Sequence, residues 1–270
     1  MGFRIEDIEL DYKVNKEELK AEVGEPIFIE GLLGVGHVGL LASTHLVKEL
    51  RCKKIADVYS PHFNHPASHA DIPGVVYSED GMVTLNRNEI FYNKENNLFI
   101  YKGIYQADYC EFYYRHANKI MDFCEEFNVS GVYTLGGLGT GEEKENSEAR
   151  AVITDPKTAE IVQNHVKILK GREDEPGVTG LSGLLIGLAH KNGITGISLL
   201  GETQGRFPDP KAAKSVLKAL SGIIGFEVNL ESLEKVTKKL EKKKKKIRKM
   251  LEWRRARRKE EEPEDLHYIG

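Results

Sequence analysis

Residues 25–50 read EPIFIEGLLGVGHVGLLASTHLVKEL, a strand, a glycine-rich turn and a helix in immediate succession. Ile27, Phe28 and Ile29 are apolar and β-prone, and Pro26 precedes them, so the segment reads as a short buried strand opening a domain. Gly31, Gly34, Gly36 and Gly39 follow, a density of glycine that permits positive φ and lets helix and strand approach closely. Leu40, Leu41, Leu46, Val47 and Leu50 then recur at near-helical spacing. A β-turn-α unit is the nucleus of the first half of the chain.

The same turn, GVGHVG at 34–39, matches G-x-G-x-x-G, and Asp57 lies near the distance of a ribose-binding acid. Two readings follow: a nucleotide- or nucleoside-binding enzyme built on 34–39, or glycines used for close packing. Asp57 stands inside KKIADVYS rather than at a strand end, and from Pro61 the chain runs into Pro, His and Asn and then hairpin-like pieces, with no regular βαβ succession. The packing reading is preferred, and the enzyme is the alternative.

The chain has 270 residues, enough for one large domain with an appendage. It is 40% hydrophobic and 30% charged, and no apolar run approaches the roughly 20 residues of a spanning helix, so a membrane protein is excluded as a class. Cys52, Cys110 and Cys124 form no CxxC pair, which points to a reducing, cytoplasmic setting without a disulfide framework or zinc knuckle. The net charge of −3 hides an asymmetry. Residues 238–259 hold fourteen Lys/Arg against Glu241 and Glu252, a formal +12, which leaves −15 on the rest. An acidic body carries a basic arm.

Further strands are expected at 53–60, in short pieces over 75–93 around the hairpin signal Glu79-Asp80-Gly81, and at 98–102, 129–135, 151–154, 166–169 and 194–200. Helices are expected over 108–127, after Thr154-Asp155-Pro156, over 178–191, and from Pro208-Asp209-Pro210 to about residue 224. Gly180, Gly183 and Gly187 lower helix propensity in the third of these and predict a helix sandwiched between neighbours. The alternation gives an α/β fold with a mixed, largely parallel sheet flanked by helices.

Gly136-Gly137-Leu138-Gly139-Thr140-Gly141 resembles the start of a phosphate loop, but Glu142 and Glu143 stand where that loop needs Lys. It is read as a tight turn beside an acidic rim. His62, His65 and His69 with Asp71 match no specific zinc spacing. Ser182 lacks the G-x-S-x-G context of a nucleophile. Glu202, just after the strand expected at 194–200, and Asp57 are a candidate acid/base pair, although carboxylates at strand ends are common. No catalytic residue, cofactor or metal ligand is assigned.

From residue 230 a narrow apolar stripe of Leu230, Leu233, Leu240, Ile247, Met250 and Leu251 marks a long helix with an incomplete seam, interrupted at Lys243 and Lys244. Nucleic acid could meet the arm's lysines, with Trp253 and Tyr268 stacking on bases, but those lysines surround the helix and the body is acidic. Residues 260–265, EEEPED, read as a flexible linker. Beyond it stand Leu266, His267, Tyr268, Ile269 and Gly270, apolar and aromatic residues that suit a docking peptide better than a solvated tail. The expected organisation is a core over 1–228, a basic helix over 229–259 and a linker with docking tail over 260–270.

The ordered segments IEGLLGVGHVGLLASTHLVKEL, IADVYSPHF, VYTLGGLGTGE, GLSGLLIGLA and SLLGETQGRFPDPKAAKSVLKAL, spread over 25–235, resemble archaeal members of the proteasome assembly chaperone family, relatives of the second eukaryotic chaperone. The resemblance implies a non-enzymatic, ATP-independent homo-oligomer, a tetramer or pentamer, with a nucleoside phosphorylase-like core. Its implied partners are its own copies and the α subunits of the 20S proteasome, as assembly chaperone or activator. Tails that enter the pockets of the α ring carry a hydrophobic-Tyr-any-residue ending; Leu266, His267 and Tyr268 resemble it, with Tyr268 third from the end and His267 at the hydrophobic position. Burying a few apolar side chains at roughly 1.5 to 3 kcal/mol each is little for one tail against its ordering cost, whereas several tails on one oligomer can gain about 100-fold or more in avidity.

Overall fold

Ile27–Leu32, the strand of the 25–50 segment, lies at the centre of a nine-stranded sheet in the computed structural model of the chain. The structure describes residues 5–64, 75–77, 80–107, 109–144, 146–171, 177–240 and 250. In chain order the elements are β1 (Glu9–Tyr12), α1 (Lys16–Glu22), β2 (Ile27–Leu32), α2 (Val38–Glu49), β3 (Lys53–Tyr59), β4 (Phe63–Asn64), β5 (Val76–Tyr77), β6 (Val83–Thr84), β7 (Asn88–Asn93), β8 (Leu98–Gly103), β9 (Gln106–Ala107), α3 (Cys110–Glu126), β10 (Gly131–Gly139), β11 (Ala149–Ile153), α4 (Ala159–Gln163), β12 (Lys167–Ile168), α5 (Gly180–Lys191), β13 (Thr195–Thr203) and α6 (Pro210–Ile224). By compactness the chain divides into Met1–Asn229 and Leu230–Gly270; within the second unit, residues 231–240 are helical.

The sheet runs β1-β3-β7-β8-β2-β10-β13-β11-β12. Its four middle strands, β8, β2, β10 and β13, are mutually parallel, and β1, β3 and β7 join antiparallel on one side. The sheet is mixed with a parallel centre flanked by helices, the α/β class expected. One face packs on α3 and α5, where Phe28, Phe99, Val132, Phe123, Leu181 and Leu185 join one apolar cluster. The other carries α2 and α6, which also pack on each other. The glycine-bearing helix α5 is sandwiched as anticipated, between α3 and strands β10 and β13.

Several details differ from the sequence expectation. The β2 strand does not open the domain: β1 and α1 precede it. Asn15 caps α1 by accepting from the backbone N–H of Glu17 and Glu18 at 3.0 and 3.2 Å, a local signal that the longer apolar patterns overshadow. Residues 136–139 are not a turn. β10 runs through them, paired residue by residue with β13 as far as Gly139 opposite Thr203. The hairpin around Glu79-Asp80-Gly81 is confined to β5 and β6, whereas β7 is a full strand of the main sheet. Asp155 caps the next helix as anticipated, accepting from Lys157 N–H at 2.8 Å, but the segment is short, a 3-10 turn at Pro156–Thr158 followed by α4.

Close approach explains the glycine density. A Cβ at Gly39 would lie 2.2 Å from the Leu135 carbonyl oxygen and 2.8 Å from that of Leu32, so α2 can start against β2 and β10 only with glycine there. At Gly137 a Cβ would meet the Val35 carbonyl at 2.3 Å, while Gly34 has open space around it. Backbone cannot yield as a flexible side chain can, so Gly39→Ala is expected to cost about 3 kcal/mol or more in a denaturant-unfolding measurement, and Gly34→Ala well under about 1 kcal/mol. Equal costs at the two positions would contradict the packing account.

Candidate functional site

The tail residues Leu266, His267, Tyr268, Ile269 and Gly270 lie outside the described residues. Within the described ones, the crevice to consider sits at the carboxyl ends of β2 and β8. These neighbouring strands lead to helices on opposite faces of the sheet, α2 and α3, the arrangement at which open α/β sheets bind ligands. Here it is spanned by the protein itself. Leu33 N–H donates to the Gly103 carbonyl at 3.0 Å, and Gln106 Nε2 donates to the Leu33 carbonyl at 2.5 Å.

The 34–39 turn is clasped from the other side. Gly36 and His37 both take left-handed backbone, φ 60° and 53°. Gly36 N–H donates to the Gly205 carbonyl at 3.4 Å, and its carbonyl accepts from Asp209 N–H at 2.8 Å. A Cβ at Gly36 would meet Thr203 Oγ1 at 2.6 Å, and that hydroxyl donates to Asp209 Oδ2 at 2.8 Å. The Asp209 carboxylate meanwhile caps α6 through Lys211 and Ala212 N–H. A dinucleotide turn offers its amides to a pyrophosphate; here the Gly36 amide is spent on the 203–209 loop, which favours the packing reading of the motif.

The candidate acid/base pair is not assembled. Asp57 on β3 and Glu202 on β13 are five strand spacings apart, roughly 24 Å at ~4.8 Å each. Burial opposes charge on Asp57, but Lys54 at 2.9 Å, Arg87 at 3.1 Å and Lys13 at 3.3 Å outweigh it and hold the carboxyl below the usual range. Glu202 is bound by Lys144 and, at 2.8 Å, by Arg150. Both carboxylates are structural ion-pair centres. Of the histidine group, His62 stacks on Phe112 with ring centroids 3.5 Å apart, while His65, His69 and Asp71 lie outside the described residues. Among the described residues, no three His, Cys, Asp or Glu side chains are grouped to hold a metal ion.

A buried polar strip across the parallel strands carries no sequence motif. Tyr101, Glu30, Thr134 and Ser198 stand in register on the four adjacent parallel strands, each 0–1% exposed. Glu30 Oε1 accepts from Leu32 N–H at 2.8 Å, and Oε2 accepts from the Ser182 hydroxyl in the first turn of α5 at 2.7 Å. Burial, partly offset by those two donors, pushes the Glu30 carboxyl up to about 7. Tyr101 Oη shares a 2.6 Å hydrogen bond with His116 Nε2, and burial pushes His116 down to about 3, so its ring is neutral. Thr134 Oγ1, Ser198 Oγ and His116 Nδ1 have no hydrogen-bond partner among the described residues. Ser182 faces a buried carboxylate rather than a histidine base, so the pair fastens α5 to β2 and makes no nucleophile. The sequence signal was present: one acidic residue inside the apolar strand IFIEGL.

The raised carboxyl has a definite consequence for stability. With about 4.5 in the unfolded chain and about 7 in the folded one, the fold binds the proton more tightly. Its contribution is complete below about pH 4.5, declines through the interval to about pH 7, and is flat above; the whole change is roughly 3 kcal/mol. Relative to the parent, Glu30→Gln should lose about 2.5 kcal/mol more stability at about pH 5 than at about pH 8, while the buried neutral His116, which resists protonation, acts in the opposite sense in both proteins. A variant that keeps the parent's pH difference would refute the assignment.

The PAC2 family model matches residues 28–248. An uncharacterized protein of Methanocaldococcus jannaschii is 35% identical over 247 residues, covering 90% of this chain and 92% of its own. Among solved structures, Pyrococcus furiosus PbaB, an archaeal proteasome activator, superposes with a TM-score of 0.78 at 31% identity, over 90% of this chain and 99% of that one. P. furiosus PbaA, an archaeal homolog of proteasome-assembly chaperone, superposes with a TM-score of 0.71 at 28% identity, over 92% and 99%. With the clasped glycine turn, the parallel centre and the ordered segments all falling within the matched span, the chain belongs to the PAC2 family.

Proposed function

We propose that this chain is an ATP-independent, homo-oligomeric proteasome-binding protein, an assembly chaperone or an activator, that docks its C-terminal tails on the α ring of the 20S proteasome. The observation that carries the reading is the likeness to PbaB over 90% of this chain and 99% of that one. The clasped 34–39 turn supports a non-enzymatic role, because the amide a phosphate would need is already engaged. Tyr77, Met82 and Val83 on the β5–β6 hairpin are 80%, 70% and 66% exposed, apolar surface that self-association would cover. No helix of the described residues is long and apolar enough to cross a membrane, consistent with work in the cytoplasm.

In this reading residues 1–228 form the oligomerising body, 229–259 a basic helix that supplies reach, and 260–265 a swivel. Leu266, His267, Tyr268, Ile269 and Gly270 make the contact. Four or five tails on one oligomer convert weak single contacts into avid binding, so loss of the last three residues should be severe. Deleting residues 268–270 is expected to reduce co-sedimentation with an archaeal 20S proteasome by about 100-fold in apparent affinity while light scattering shows the same oligomer mass. Undiminished co-sedimentation would remove the tail from the mechanism.

A further inference from the structure

A groove of about 390 Å³ runs between β1 and the second half of α3. Its floor is apolar, built from Ile8, Leu10, Tyr12 and Phe123. Its rim is acidic, with five carboxylates against Lys16 and Lys119. Glu126 is held by Lys16 and Lys20, and Asp7 by Arg115, but among the described residues no cation pairs with Glu6, Glu9 or Asp122. An apolar trough flanked by unpaired carboxylates calls for an occupant with an apolar stripe between cations.

The chain contains such a segment. In residues 242–259, Ile247, Met250 and Leu251 fall at helical spacing among twelve Lys and Arg, against Glu252 alone. That is a basic amphipathic pattern of the kind that lies in grooves. The body's exit point indicates whose arm it is. Asn229, the last residue of the first unit, accepts through its carbonyl from His45 Nε2 at 2.7 Å, and His45 belongs to α2. The chain therefore leaves the body on the α2 face of the sheet, whereas the groove lies on the α3 face. Its own groove is on the far side; a neighbour's need not be.

We propose that the groove between β1 and α3 receives the basic arm, residues 242–259, of a second copy of this chain. The inference rests on the self-association part of the proposed function and not on proteasome binding. It gives the oligomer a head-to-tail contact, which closes into a ring when the rotation allows.

Zero-length carbodiimide coupling of the full-length chain tests this, because it joins a lysine amine to a carboxylate only where the two already touch. The expected result is a covalent dimer band on a denaturing gel, with bonds from Lys242–Lys246 or Lys249 to Glu6, Glu9 or Asp122. The band should fall at least several-fold in about 0.5 M salt, where the Debye length shrinks to a few ångström, and in the double variant Glu9→Lys, Asp122→Lys. Coupling of Lys16 to Glu126 inside the monomer serves as the internal control. Those arm bonds found only in the monomer band, or absent while the control forms, would overturn the proposal. A monomeric mass by light scattering would instead sink the self-association on which it rests, whatever the protein does to proteasomes.

Discussion

Backbone-to-backbone contact between the 34–39 turn and the parallel strands is the constraint on which the rest of this structure depends. Gly39 lets α2 begin against the carbonyls of Leu32 and Leu135, and Gly137 lets β10 pass beneath Val35. The turn is then clamped by Gly205, Thr203 and Asp209, the last of which also starts α6. In a nucleotide-binding sheet the same position is left open so that amides can point at phosphate. Here it is closed by the protein, and the strand ends become a rigid joint between the two helices of one face.

On the opposite face the core keeps a polar strip under α3 and α5. Glu30 is the member with most influence, since its carboxylate satisfies the last amide of β2 and the Ser182 hydroxyl together. A buried carboxyl is an expensive way to join two elements, and its cost grows as the group ionises. Burial favours the neutral carboxyl, whereas the two donors favour the ionised one, and burial is the larger effect. On β3 and β7, beside edge strand β1, the charged side chains compensate one another: Asp57 with Lys54, Lys13 and Arg87, and Glu89 with Lys102. The uncompensated charge lies instead on the groove beside β1 and in the basic sequence after residue 238.

Much of the fold was legible because period and punctuation agreed. Asp209 followed by Pro210 announced α6, and Cys110–Glu126 showed its apolar stripe. Glycine was the ambiguous letter. At 136–139 it reads locally as a turn signal, whereas the residues continue a strand that a neighbouring backbone approaches closely. At 34–39 the motif suited either a ligand or a packing joint, and only the partners of Gly36, some 170 residues away, distinguish them. The Glu30–Ser182 link spans 152 residues and leaves no local trace beyond an acid in an apolar strand. β1 and α1 leave little trace in the sequence, because four and seven residues carry too little periodicity to stand out. The tail was legible only as chemistry without an evident local role, and through family resemblance.

The chemistry proposed for this chain is recognition of a proteasome rather than turnover of a small molecule. The most direct measurement is fluorogenic-peptide hydrolysis by an archaeal 20S proteasome across a concentration series of the full-length chain, without added nucleotide, with binding to the particle followed in the same samples. Saturable association with the α ring and a saturable change in hydrolysis are expected. No association with either mature particles or α-subunit assembly intermediates would contradict the proposal.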